Sequence, residues 1–268
     1  MKKQYIIFGI IIMVLLSVLS GCFGPKSTEY FNEEYQVDEN TVLNVATING
    51  QIEINTYDGD KVIFNAIKKS SFGQEELDKI DIIVIEGENE LDIEAKYLGQ
   101  RLTTPSIDMN IKVPKNITVD TVTTSNGPIQ ISGVKGDVIA KSSNGEIIIE
   151  DVYGYVSATT SNGRIEVKET TGIKDLESSN LGINAEINDF KENISISTSN
   201  GVITVYINPS LNANIEMSTS NGHITISGLS LNLTTSEEKY KVGKLGEGGN
   251  TIDIQTSNGN IYLYKLEI

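Results

Sequence analysis

The sequence predicts an all-β protein, a parallel β-solenoid with coils of about 18 to 20 residues and one short inserted helix. Three observations point there. The tripeptide Ser-Asn-Gly stands at Ser125-Asn126-Gly127, Ser143-Asn144-Gly145, Ser161-Asn162-Gly163, Ser199-Asn200-Gly201, Ser220-Asn221-Gly222 and Ser257-Asn258-Gly259, with a worn copy at Ser179-Asn180-Leu181. The Ser-to-Ser spacings are 18, 18, 18, 20, 21 and 37, the last close to two periods. Around the copies the apolar residues keep fixed offsets: four after the Ser slot stand Ile129, Ile147, Ile165, Ile183, Ile203, Ile224 and Ile261, and three before it Val122, Ala140, Ala158, Leu176, Ile196, Met217 and Ile254.

Apolar residues alternate on both sides of the tripeptide, the period-2 pattern of half-buried strands. Glycine after Asn is expected to take φ > 0 without a Cβ clash, and Asn tolerates the same region, so the pair lets the chain turn a corner. A meander of Asn-Gly hairpins is the structural alternative. It gives no reason for like residues to recur at one spacing, whereas stacked coils do, because each residue then lies over its equivalent about 4.8 Å away. The Asn-Gly pairs therefore mark the corner of each coil, and the Ile columns form its core. Leu181 in the Gly slot is expected to strain or reshape its corner.

From the N-terminus, Lys2 and Lys3 precede an apolar run from Tyr5 to Leu19, the pattern of an export signal. It closes on Leu19-Ser20-Gly21-Cys22, which resembles the prokaryotic lipobox, and Cys22 is the only cysteine. The resemblance implies acylation of Cys22, cleavage before it and anchorage in membrane lipid. An uncleaved membrane span is the alternative, since the run is only slightly short of the usual ~20 residues; the placement of the sole cysteine favours the lipobox. Residues 1–21 are thus expected as a lipoprotein signal peptide, 22–41 as the anchored Cys with a polar tether, and 42–268 as the repeat domain. With Cys22 acylated no disulfide can form, and the core alone must hold the fold.

Thr47-Ile48-Asn49-Gly50 reads as a first copy, and 77 residues separate Ile48 from Ser125, room for about four further periods. The whole then amounts to about a dozen coils, ~50–60 Å long. Ser71 before a Glu-rich turn, with Leu77 and Ile80 three apart, predicts the inserted helix within residues 71–80. Residues 228–250, polar and Gly-rich, are expected as a long loop on the coil edge. The terminal stretch 262–268, with Lys265 and Glu267, is expected to cap one end.

The run from Leu43 through the Val113-Pro114-Lys115-Asn116 step to the Gly248-Gly249 pair before the last copy resembles a prokaryotic family of unknown function that bears the name "putative adhesin". The resemblance covers about residues 42–264 and implies a β-solenoid-like domain on exported or membrane-attached proteins. It brings no catalytic residues with it.

Charge and chemistry narrow the function. With 21 Lys plus Arg against 36 Asp plus Glu, the net charge is −15, which repels phosphate backbones and makes nucleic acid a poor partner. His223 is the only histidine and occupies the variable slot after Gly222, where Pro128, Glu146 and Arg164 stand in other copies, so it is expected to face solvent. Without a neighbouring base the many Ser and Thr residues are not activated nucleophiles, and they read as hydrogen-bonders of the corners. Calcium β-rolls use a nine-residue Gly-Gly-x-Gly-x-Asp repeat; here the period is twice that, and Asp60 and Asp137 hold no constant slot. No cofactor, metal or catalytic set is therefore expected. The reading is a non-catalytic cell-surface module that binds an envelope or extracellular polymer or protein, the alternative being a structural spacer or self-assembling scaffold.

Overall fold

The computed structural model describes residues 27–99 and 105–267. Their strands hydrogen-bond into one continuous network of twenty-one. Two long parallel faces enclose the core, and the chain passes from the first to the second at each Asn-Gly corner. The middle of the stack follows the sequence. On the first face β8 (Thr118–Asn126) pairs with β10 (Val138–Ser142), which pairs with the C-terminal half of β11 (Ile147–Thr160), which pairs in turn with that of β12 (Ile165–Ser178). On the second face β9 (Ile129–Ser132) pairs with the N-terminal half of β11, then come that of β12 and β13 (Ile183–Ile187). Because β11 and β12 bend through a second corner, each belongs to both faces.

At both ends the spatial order departs from the sequence. The first coil, β2 (Val42–Asn49) and β3 (Ile52–Tyr57), lies directly against β8 and β9. Outside it sits the later coil of β6 (Glu90–Tyr97) and β7 (Ser106–Pro114). At the other end β14 (Ile194–Thr198) and β15 (Ile203–Ile207) do not touch the coil that follows them, β16 (Ala213–Thr219) and β17 (Ile224–Ser227). The last coil of the chain, β20 (Thr251–Thr256) and β21 (Ile261–Lys265), is inserted between them.

Among the described residues the stack therefore holds nine coils, not about a dozen, and spans about 40 Å. The residues expected to form further coils run antiparallel instead. β4 (Lys61–Ser70) covers the edge of β7, and β5 (Ile80–Glu86) that of β6. Between them α1 (Gln74–Leu77) buries Leu77; its N-cap is Gly73, not a serine. The segment expected as a loop at 228–250 contains the antiparallel pair β18 (Leu231–Ser236) and β19 (Tyr240–Leu245), with β19 on the free edge of β16. The terminal stretch expected as a cap is interior, since β21 is paired on both edges.

Part of the expected tether is also a strand. β1 (Ser27–Gln36) pairs with β4 along its whole length. Phe31 and Tyr35 pack against the core, with the Phe31 ring 5.3 Å from that of Phe64. Polar composition concealed this, because the outward residues of an edge strand are free to be charged.

The columns anticipated around the tripeptide are in register. Ile52, Ile129, Ile147, Ile165, Ile183, Ile203, Ile261 and Ile224 lie one over the next, none more than 7% exposed. Val45, Val122, Ala140, Ala158, Leu176, Ile196, Ile254 and Met217 do the same on the other face. Burying a Leu- or Ile-sized side chain contributes about 1.5–3 kcal/mol each, so the columns are the main source of stability in a chain without a disulfide.

Candidate functional site

The corner residues singled out from the sequence form three columns. In the first, Asn126 Nδ2 donates to Asn49 Oδ1, Asn144 to Asn126, Asn162 to Asn144, Asn180 to Asn162, Asn200 to Asn180, Asn258 to Asn200 and Asn221 to Asn258, at 2.6–3.1 Å. This ladder follows the spatial order of coils, not the sequence order. In the second, buried hydroxyls reach across to the neighbouring coil: Ser142 donates to the Gly127 carbonyl at 3.1 Å, Thr160 to Gly145 at 3.0 Å, Ser178 to Gly163 at 2.9 Å, Thr256 to Gly201 at 3.0 Å and Thr219 to Gly259 at 2.9 Å. They satisfy corner carbonyls that would otherwise lie buried and unpaired.

The third column is the glycines, where the expected positive φ is found at Gly50 (124°) and Gly127 (156°) and not in the later copies. Gly145, Gly163, Gly201, Gly222 and Gly259 do not have positive φ. They are glycine because the coils approach so closely: a Cβ on Gly145 would collide with the Gly127 carbonyl, on Gly163 with that of Gly145, and on Gly222 with that of Gly259. Leu181 is accommodated without positive φ by turning outward, 48% exposed, while Gly182 takes up the tight approach to Val202. The left-handed corner lies elsewhere, at Gly133, Asp151 and Glu169, with φ of 72°, 54° and 53°. Their 18-residue spacing was present in the sequence, and Gly133 and Asp151 are residue types that tolerate the conformation, but Glu169 gives no hint of it.

Leu19, Ser20, Gly21 and Cys22 lie outside the described residues. His223 faces solvent, with Nδ1 2.9 Å from Glu238 Oε1. Asp60 accepts from Gln36 Nε2 only through its backbone carbonyl, at 3.1 Å. Asp137 belongs to a cluster that sequence reasoning missed. Its Oδ1 accepts from the Tyr155 N–H at 2.9 Å and its Oδ2 lies 2.8 Å from Lys174 Nζ. Burial alone would raise the Asp137 pKa, but the hydrogen bonds from Lys174 and the Tyr155 N–H outweigh it, so it lies below the ordinary value. Tyr155 donates to Asp189 Oδ2 at 2.7 Å, and Lys191 sits 4.0 Å over its ring. The bond to Asp189, reinforced by burial, pushes the phenol up to about 12. These groups hold one another in place. Among the described residues no group of three or more His, Cys, Asp and Glu is arranged to hold a metal.

The second face runs unbroken from β7 and β3 through β9, β11, β12, β13, β15 and β21 to β17. Across β11 and β12 it is a lattice of charge: Arg164 bridges Glu146 at 2.9 Å and Glu166 at 3.1 Å, and Lys168 meets Glu150 at 3.1 Å. Across β15, β21 and β17 the outward residues are Thr204, Tyr206, Tyr262, Tyr264, Thr225 and Ser227, all uncharged. Tyr206 and Tyr264 are register partners with ring centroids 5.5 Å apart, and Tyr262 and Tyr264 lie 6.0 Å apart and nearly parallel, at 8°.

A family model described as Toastrack DUF4097 matches residues 32–264. No curated protein matches the chain. Among solved structures, one described as a putative cell adhesion protein from Clostridium sporogenes is similar over 89% of this chain and 100% of its own, at 18% identity and a TM-score of 0.38. A putative adhesin from Bacteroides fragilis covers 90% of this chain and 98% of its own, at 13% identity and a TM-score of 0.38. A putative lipid binding protein from Parabacteroides distasonis covers 91% and 98%, at 16% identity and a TM-score of 0.27.

Proposed function

Starting from the fact that the chain belongs to the Toastrack DUF4097 family, we propose that it is a non-catalytic module, anchored by lipid at the cell surface, that binds an envelope or extracellular polymer or protein through a flat side of the solenoid. The observation that carries this is the rigid second face, braced at its edge by the Asn ladder and the hydroxyl column. A surface fixed in this way presents groups to a partner with little ordering cost. The corner Ser and Thr hydroxyls of the column are committed to carbonyls, and the only histidine pairs with an exposed glutamate, which supports the non-catalytic reading.

Anchorage rests on the Leu19-Ser20-Gly21-Cys22 signal. Since β1 begins at Ser27, a span of five residues from Cys22 reaches at most about 18 Å, and the domain is held close to the bilayer. The scaffold reading is less well supported, because β6, β7 and β16 at the stack ends are each covered by an antiparallel strand, which leaves the four-residue edge of β17 as the one end strand of the stack open to a further parallel partner among the described residues.

Cell fractionation after Cys22→Ser tests the anchor: the processed variant is expected in the soluble fraction, and unchanged membrane attachment refutes the lipoprotein reading. Binding of residues 27–268 to intact cells and isolated envelope, run beside light scattering, tests the rest. Saturable binding by a monomer is expected. Concentration-dependent filaments without binding would establish the scaffold instead.

A further inference from the structure

The uncharged end of the second face stands out in a chain of net charge −15. Three neighbouring coils contribute only hydroxyl-bearing residues to it: Thr204 and Tyr206 from β15, Tyr262 and Tyr264 from β21, Thr225 and Ser227 from β17. Three of these are aromatic. Tyr262 and Tyr264 lie two apart on one strand with parallel rings, and Tyr206 sits across from Tyr264 at a tilt of 37°. The Tyr262 hydroxyl accepts from Asn260 Nδ2 at 3.0 Å, which fixes the tilt of that ring along the strand. All three rings are half-buried on paired strands, so they are pre-oriented.

Such a surface selects its ligand by exclusion. An anionic polymer meets the repulsion of the whole chain. The outward carboxylate beside the patch is Glu186 on β13, the register partner of Tyr206, and it accepts from the Glu169 N–H at 3.0 Å, so the three strands of the patch themselves offer a cation no carboxylate. What fits here is an uncharged partner with flat C–H faces to lie against aromatic rings and a rim of hydroxyls to exchange hydrogen bonds with Tyr, Thr and Ser. A pyranose ring has that composition. Tyr262 and Tyr264, 6.0 Å apart along one strand, are spaced close to the advance of one sugar unit, so successive units of a chain lying along β21 meet successive rings, with Tyr206 flanking Tyr264 across the strand at 5.5 Å. We infer that Tyr206, Tyr262 and Tyr264 form a platform for a neutral hexopyranose polymer. The inference rests on the binding-module reading and names the ligand class and the place.

The same ring contacts stabilise the sheet, so loss of stability in a Tyr variant is no test; the readout is binding. The full chain in mild detergent is titrated with cellohexaose and chitohexaose, and with an alginate hexamer as the anionic counterpart. The sequence contains no Trp, so emission reports the tyrosines directly. Saturable binding of at least one neutral probe, with a change in tyrosine emission and none with alginate, is expected. Tyr262→Ala with Tyr264→Ala should weaken it roughly tenfold or more. Thr204→Arg, which keeps every ring and the core but places a bulky cation beside Tyr262, should do the same. Arg164→Ala, outside the patch, should leave it unchanged. Failure of both neutral probes to bind, or equal binding by the folded variants, overturns the platform. Envelope binding measured on the same proteins separates the two levels: if the variants retain it, the platform falls and the binding module stands; if the unmodified chain lacks it, the module itself falls.

Discussion

Asn258 donates its Nδ2 to Oδ1 of Asn200 at 2.8 Å across 58 residues of sequence, and Asn221, 37 residues before it, donates to Asn258 at 2.8 Å in turn. Asn258 thus joins two coils that are consecutive in the chain but not in space. Replacing it by Ala removes both bonds and a third, from Asn258 Nδ2 to the Ser199 carbonyl at 3.4 Å. The side chains are exposed and water replaces much of what is lost, so Asn258→Ala should cost about 1 kcal/mol, read from the urea midpoint. Asn258→Asp should cost more, because it sets a carboxylate against the Asn200 oxygen.

Ile165 and Arg164 are adjacent and should behave oppositely. Ile165 is fully buried between Ile147 and Ile183, so Ile165→Ala should destabilise by about 2–5 kcal/mol. Arg164 makes only exposed ion pairs, and Arg164→Ala should change stability by less than about 1 kcal/mol. Equal shifts of the two denaturation midpoints would mean that the inward and outward rows are misassigned.

A similar opposition holds for two corners. Gly163→Ala places a methyl against the Gly145 carbonyl and should cost more than about 3 kcal/mol, since only separation of two coils relieves the clash. Glu169, at φ 53°, has the reverse problem. Glu169→Gly relieves the left-handed backbone and should raise stability by about 0.5–1 kcal/mol, after the greater freedom of glycine in the unfolded chain is counted. Calorimetric midpoints moving in the same direction would contradict this assignment.

The columns were legible because burial repeats: Ile129, Ile147 and Ile165 must each fill the same space, and that necessity is written as a spacing. Why the glycines recur was not legible, because absence of a side chain is required equally by a left-handed φ and by a close approach. The order of the coils was also hidden. Ile203, Ile224 and Ile261 have the same neighbours in type whichever coil lies between the others, so composition cannot rank them. The Tyr155 cluster escaped because Asp189 and Lys191 lie outside any repeat slot. On the platform, Tyr206 and Tyr264 occupy the same outward slot in different repeats, a coincidence that a search for polar and catalytic motifs passes over.

Tyr155 gives the chain an alkaline limit. Its phenol is held neutral to about 12, against an ordinary value of 10.0, by its bond to Asp189. A folded-state pKa above the unfolded one means the contribution is complete below pH 10 and drains away as the pH climbs towards 12. Tyr155→Phe leaves the Asp189 carboxylate without this donor and should lose about 1–3 kcal/mol at neutral pH. The gap between parent and variant should close on the alkaline side of pH 10, measured by urea unfolding. A constant gap would place the effect in packing instead.

The insertion of the last coil also sets a clock. A chain made from its N-terminus delivers β14 and β15, then β16 and β17, long before β20 and β21 emerge. Until they do, β16 and β17 have no parallel neighbour, because the only strands they pair with in that direction come last. At the opposite end β7 must likewise slip between β3 and β4, both already made. β20 and β21 therefore act as a keystone: each earlier coil can form, but the arch locks only when they are in place. A chain that has emerged only as far as β19 stays unlocked.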